Sequence, residues 1–215
     1  MGNRNGMNPD MEQLVQTLNY CALFVAAISG AAAGINCKAD VFGVAVMAFV
    51  TACSGGIARD LLIGDTPPEN IRSWMPLAVT LAASGVTVAF FRYLQWFLAN
   101  PVQIFDAFGL GLFTVIGTTK AMAFGITPIW AVLLGVITGV GGGMARDILL
   151  ARPPSVLHKE IYATCSLAGG AVVVAGAHLD YVSSEYAVLA GAALCIVLRC
   201  IALRRKWNMR AVDKS

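Results

Sequence analysis

Seven stretches of this chain are long and apolar enough to cross a lipid bilayer, near residues 14–35, 40–63, 74–97, 103–123, 127–150, 160–178 and 184–203. A spanning helix needs about 20 mostly apolar residues. Lipid offers backbone N–H and C=O groups no partner, so such segments must satisfy them internally, as helices. Composition agrees: 58% of the 215 residues are hydrophobic and only 13% are charged. A soluble domain carries about a quarter charged residues. The reading is an all-α membrane protein with seven transmembrane helices. Polar and proline-containing joints separate the spans, among them Asp65-Thr66-Pro67-Pro68, Asn100-Pro101 and Arg152-Pro153-Pro154. Trp74, Trp96, Trp130 and Trp207 lie near span ends, where aromatic belts form.

An odd number of spans puts the termini on opposite sides. With the N-terminus outside, the inner segments carry Lys38, Arg92, Arg152, Lys159 and the C-terminal cluster Arg204, Arg205, Lys206, Arg210 and Lys214. The outer segments carry only Arg4, Arg72 and Lys120. The positive-inside rule therefore favours N-out and C-in. The basic tail is read as this topology determinant, with anionic-lipid binding as its alternative. A net charge of +3 is too mild to imply a nucleic-acid partner. The N-terminal segment has no signal-peptide pattern, and Gly6 breaks a myristoylation pattern.

Residues 54–68, SGGIARDLLIGDTPP, and 141–155, GGGMARDILLARPPS, share a motif. Gly55, Gly56, Ala58, Arg59, Asp60 and Leu62 match Gly142, Gly143, Ala145, Arg146, Asp147 and Leu149 at a constant offset of 87 residues. The same offset carries Gly30 onto Gly117, Thr51 onto Thr138 and Asn19 onto Asp106. The repeat divides the chain into a polar N-terminal segment (1–13), a first three-helix unit (14–97), a second (103–178), a seventh helix (184–203) and a basic tail (204–215). Three spans per unit is odd, so the second copy enters from the opposite side. The result is an inverted repeat, an arrangement that puts transport paths at the interface between copies.

Glycine weakens a helix interior by about 1 kcal/mol relative to alanine. The clusters Ser54-Gly55-Gly56 and Gly141-Gly142-Gly143 are therefore candidate break points that turn backbone carbonyls toward a polar path. Carbonyl oxygens replace the hydration shell of a monovalent cation. Thr51, Ser54 and Thr138 add hydroxyls nearby. Close helix packing by small residues is the alternative use of these glycines.

Arg59-Asp60 and Arg146-Asp147 follow one turn later, and charges at such depth usually face a bundle interior or an aqueous cavity. Neighbours on a helix point about 100° apart. The pseudo-symmetry therefore suggests cross-pairing of Arg59 with Asp147 and of Arg146 with Asp60, or pairing with another span, with interfacial anchoring as the alternative. Lys120 is read as snorkelling to the interface, with an electrostatic gate at the outer mouth as the alternative. Asp106 is read as favouring a helix N-terminus.

Enzyme motifs are absent from the sequence. Residues 139–144 fail G-x-G-x-x-G at Met144, and no G-K-[ST] follows either cluster. The six cysteines form no C-x-x-C pair and are read as free thiols, with no metal site and no disulfide framework.

The paired GG-x-x-A-R-D-x-L segments, the three-plus-three-plus-one layout and Asp106-Ala107-x-Gly109-Leu110 at the start of span 4 resemble the prokaryotic trimeric intracellular cation channels, a family also labelled as glycine transporters. The resemblance spans roughly residues 18–203. It implies a homotrimer in the bacterial inner membrane with one pore per protomer, lined by the glycine-kinked helices 2 and 5. The conducted ions would be monovalent cations, chiefly K+, with Na+ as the companion, and no other cofactor. Animal members bind an inositol lipid through a basic motif on span 4, where this chain has only Lys120. Secondary transport of a small solute such as glycine is the rival function, and a scaffold whose glycines only pack is the third.

Overall fold

The computed structural model describes residues 8–98, 100–158, 161–178 and 184–205. Met1 to Met7 and the tail from 206, with Trp207, lie outside the described residues, as does Lys159. The described residues form nine helices: α1 (Pro9–Asn36), α2 (Val41–Ile63), α3 (Glu69–Arg72), α4 (Met75–Phe97), α5 (Pro101–Ala123), α6 (Pro128–Leu149), α7 (Ser155–His158), α8 (Ala163–His178) and α9 (Ser184–Arg205). Six of them are long and apolar enough to cross a membrane. The expected sixth span is the exception, because α8 has 16 described residues. Two short helices between the spans, α3 and α7, were not anticipated.

The ends follow local chemistry. Proline opens α1, α5 and α6, where its missing N–H costs nothing. Asp40 caps α2 by accepting from the Gly43 N–H at 2.7 Å. Gly64, at φ 77°, ends α2 in the left-handed conformation.

Helices α1, α2, α5 and α6 make the centre, with α1 against α2 and α5, and α6 against α2 and α5. Helix α4 packs outside α1 and α2, and α8 and α9 pack outside α5 and α6. Helix α4 turns Thr80, Ser84 and Thr87 inward and leaves Leu77, Leu81, Val86, Val88 and Phe90 exposed. An apolar outside with a polar inside is what a lipid-facing helix requires. Thr80 and Thr87 return their hydroxyl protons to their own helix, at Leu77 O and Ala83 O.

The helices touch through small residues. A Cβ on Gly30 would stand 2.5 Å from Thr51 Oγ1, and one on Gly117 would stand 2.5 Å from Thr138 Oγ1. The α1–α2 pair and the α5–α6 pair thus use the same glycine-to-threonine contact, 87 residues apart. Without a hydrophobic force between helices in lipid, such close backbone approach is the main source of packing energy.

Candidate functional site

Helices α2 and α6 cross at the two glycine clusters. A Cβ on Gly55 would lie 2.1 Å from the Thr138 carbonyl oxygen, and one on Gly142 would lie 2.1 Å from the Thr51 carbonyl oxygen. The pairing of 55 with 138 and 51 with 142 makes the two helices antiparallel. Both run unbroken through their glycines. The expected break in the helical backbone is therefore not seen. Removing the side chains lets two intact helices touch backbone to backbone, and the hydrogen-bond ladder survives.

The neighbouring glycines do something else. A Cβ on Gly56 would meet Asn70 Nδ2 at 2.7 Å, and Asn70, buried on α3, donates to the Cys53 carbonyl at 3.2 Å. A Cβ on Gly143 would meet the Tyr162 hydroxyl at 3.0 Å and Asp106 Oδ1 at 3.2 Å. One glycine of each cluster admits the opposite helix and the next admits a polar side chain. Gly141 faces the Gly55 Cα. The hydroxyls of Thr51 and Thr138 donate within their helices to Met47 O and Leu134 O at 2.6 Å each. Ser54 donates likewise to Val50 O.

A charged network sits at each end of the crossing. On the side of the N-terminus, Arg59 Nε donates to Asp60 Oδ1 at 2.8 Å. Lys120 Nζ of α5 reaches Asp60 Oδ1 at 2.9 Å, Asp65 Oδ2 at 2.8 Å and Glu69 Oε2 at 3.0 Å. Arg72 holds the other oxygen of Asp65 at 2.8 Å. Asp60 Oδ2 accepts from the Glu69 N–H at 2.9 Å and so starts α3. On the opposite side, Arg146 Nε donates to Asp147 Oδ1 at 3.0 Å. Arg146 Nη1 donates to Asp106 Oδ1 at 2.8 Å and Ser29 Oγ at 2.9 Å. Asp147 Oδ2 accepts from the Ser155 N–H at 2.8 Å and starts α7. Arg199 of α9 stacks on the Tyr162 ring at 4.5 Å.

Three sequence expectations are corrected here. Cross-pairing does not occur; pairing with another span does, since Asp60 meets Lys120 and Arg146 meets Asp106, both of α5, while each arginine also bonds to the aspartate beside it. Antiparallel packing puts Asp60 and Asp147 about 20 Å apart along the helices, beyond the reach of any arginine. A flexible stem lets each guanidinium swing sideways to its neighbour instead. Lys120 does not snorkel, since it is 3% exposed and carries three carboxylates. Asp106 lies beyond the first turn of α5, where it neutralises Arg146 and not the helix terminus. Ser29, Asn70 and Tyr162 were missed. Their signal was burial beside a glycine, which one sequence does not display.

A cavity adjoins each network. A cavity of about 290 Å³ opens over Arg146 and Asp147, with Asn36, Gln103, Arg152 and Ser155 in its wall. A smaller one, about 80 Å³, lies beside Lys120 and Glu69. Among the described residues no three or more His, Cys, Asp or Glu side chains are grouped so as to hold a metal ion. The cysteines are free.

The family described as glycine transporter matches residues 16–93 and 103–178. The inner membrane protein YadS of Escherichia coli K12, labelled UPF0126, is 34% identical over 197 residues, covering 92% of this chain and 94% of that one. A UPF0126 membrane protein of Vibrio cholerae is 36% identical over 199 residues, covering 91% and 81%. Among solved structures, a prokaryotic TRIC channel in 0.5 M KCl superposes with a TM-score of 0.84 at 30% identity, covering 93% of this chain and all (100%) of that one. The TRIC trimeric intracellular cation channel orthologue from Rhodobacter sphaeroides gives a TM-score of 0.82 at 30% identity, covering 91% and 100%.

Proposed function

This chain belongs to the glycine transporter family and has the fold of the TRIC channels, and from that premise we propose that it is a potassium-permeable monovalent cation channel. The whole-length likeness to solved TRIC cation channels carries the reading. The assembly is a homotrimer in the bacterial inner membrane, with one pore in each protomer. The N-terminus is outside and the C-terminus is cytoplasmic, as the basic residues of the inner segments require. The two three-helix units form an inverted repeat, a reading supported by the antiparallel α2–α6 contact and by matched partners 87 residues apart.

The path runs between α2 and α6 within the α1, α2, α5, α6 group. The contact of Gly55 and Gly142 with opposing carbonyls leaves no room for an ion, so this conformation is closed. Conduction needs α2 and α6 to separate. Separation would expose the carbonyls of Thr51 and Thr138 to the gap. Uncharged carbonyl oxygens can replace water around K+ or Na+ without holding it too tightly. The networks of Arg59, Asp60 and Lys120 at one end and Arg146, Asp147 and Asp106 at the other hold the helix ends while the middle moves.

Recording from the purified protein in a planar bilayer tests this. Discrete current steps in KCl without added solute are expected. Solute-dependent uptake without current steps would sink the channel reading and favour the rival, secondary transport of a small solute such as glycine, which the family's description supports. Gly142→Leu and Gly56→Leu should both lower conductance while the trimer stays assembled. Gly142 acts through the α2 backbone and Gly56 through Asn70.

A further inference from the structure

The smaller cavity lies between α1, α3 and α5, on the side of the N-terminus. Glu12, Gln16 and Asn19 of α1, Glu69 of α3, and Ile116 and Lys120 of α5 line it. Its polar groups are two carboxylates, two amides and one ammonium. The ammonium is already bonded to Asp60, Asp65 and Glu69. Asn19 is 8% exposed, and its amide has no side-chain hydrogen bond to any described residue. A buried amide normally finds a partner. Here the open side of that amide is the cavity.

Asn19 stands where Asp106 stands in the second unit. Asp106 is used up by Arg146. The equivalent arginine, Arg59, has Asp60 for its charge and does not line the cavity. The neutral amide at position 19 is thus left with a carbonyl oxygen for something that is not protein.

We propose that this cavity binds one monovalent alkali cation, held by the amide oxygens of Asn19 and Gln16 and the carboxylates of Glu12 and Glu69. Hard oxygen donors suit such an ion. The lining charge is one negative after Lys120 is counted, which favours a single positive charge and disfavours an anion. A volume of about 80 Å³ leaves room for the ion with some of its water. The site deepens the cation-channel reading and rests on it for its role, which is to load ions at the N-terminal mouth.

Two measurements on the full-length protein separate the site from that reading. The first is thermal unfolding in detergent, in KCl or RbCl against N-methyl-D-glucamine chloride at equal ionic strength. K+ should raise the Tm of the wild type, and Asn19→Leu should abolish the rise. The second is single-channel conductance against K+ activity on each side. Glu12→Gln and Asn19→Leu should raise the half-saturating K+ activity on the N-terminal side about three- to tenfold, the loss of one charge-assisted contact, with no change on the other side. Glu12 is exposed, so Glu12→Gln keeps the test usable if Asn19→Leu does not fold. A K+-dependent Tm with no current in any condition would overturn the channel and leave the site standing. Current with unchanged half-saturation in both variants would overturn the site. So would a Tm that responds to CaCl2 and not to KCl.

Discussion

The two ends of the α2–α6 crossing carry the same Arg-Asp pair and finish it in opposite ways. On the side of the N-terminus the pair gains a cation, Lys120, which binds the aspartate. On the other side it gains an anion, Asp106, which binds the arginine. Both additions come from α5. Helix α1, its counterpart 87 residues earlier, has Ala33 and Asn19 at those positions and contributes only the Ser29 hydroxyl. The α2 and α6 halves stay alike because they touch each other and must fit. The α1 and α5 halves have diverged, because each sees a different end of the pair. What matters for burying charge in a membrane is that each charge meets an opposite one, not that the two networks are the same.

The comparison breaks most readily at the shared aspartate. Asp60→Leu removes the acidic partner of Arg59, whose Nη1 already has no hydrogen bond. Breaking a buried pair in this way should cost about 3–5 kcal/mol, read as lost unfolding free energy in detergent. Asp147→Leu should cost less, because Asp106 still holds Arg146. Equal losses would mean that the α5 partners contribute nothing.

At the crossing the halves should behave alike. Gly55→Ala and Gly142→Ala each push a methyl against a carbonyl, and each should destabilise by about 1–3 kcal/mol. A large difference between them in the same melting assay would end the claim of equivalence. Asp106→Asn makes α5 resemble α1 at that position. It should cost about 1–2 kcal/mol through the weakened bond to Arg146, measurable against the wild type by the same unfolding.

The smallest effect concerns pH. Burial would push the Asp65 carboxyl up, but hydrogen bonds from Lys120 and Arg72 outweigh it and hold the group below its ordinary value. A depressed carboxylate stabilises the fold fully above its unfolded-state pKa, and the stability is lost as pH falls through the folded-state value. Melting temperature should therefore be flat near neutrality and fall only below about pH 4. Asp65→Asn should reduce that acid dependence.

Much was legible from the chain. The expected spans at 40–63, 74–97 and 103–123 meet helices Val41–Ile63, Met75–Phe97 and Pro101–Ala123, because lipid accepts little but helix and proline and glycine mark its ends. Gly55, Gly142, Arg59 and Asp147 were found by repetition alone. Their partners were not. Cross-pairing looked natural from symmetry, yet symmetry says nothing of how far apart two equivalent positions lie. Asp106 and Lys120 looked like end effects because a single sequence shows depth along a helix poorly. Ser29 and Asn70 gave no sign, being ordinary polar residues in ordinary places.

The sequence by itself determined that the chain is helical, that it lives in lipid and that two of its helices share a motif. Those follow from hydrophobic length and from self-similarity, which are local or one-dimensional. Only the tertiary structure decided that the glycines join helices without breaking them, that each arginine keeps to its own aspartate, and that α5 completes both networks. These depend on which surfaces meet after packing, and side chains with several acceptors in reach are assigned by distance.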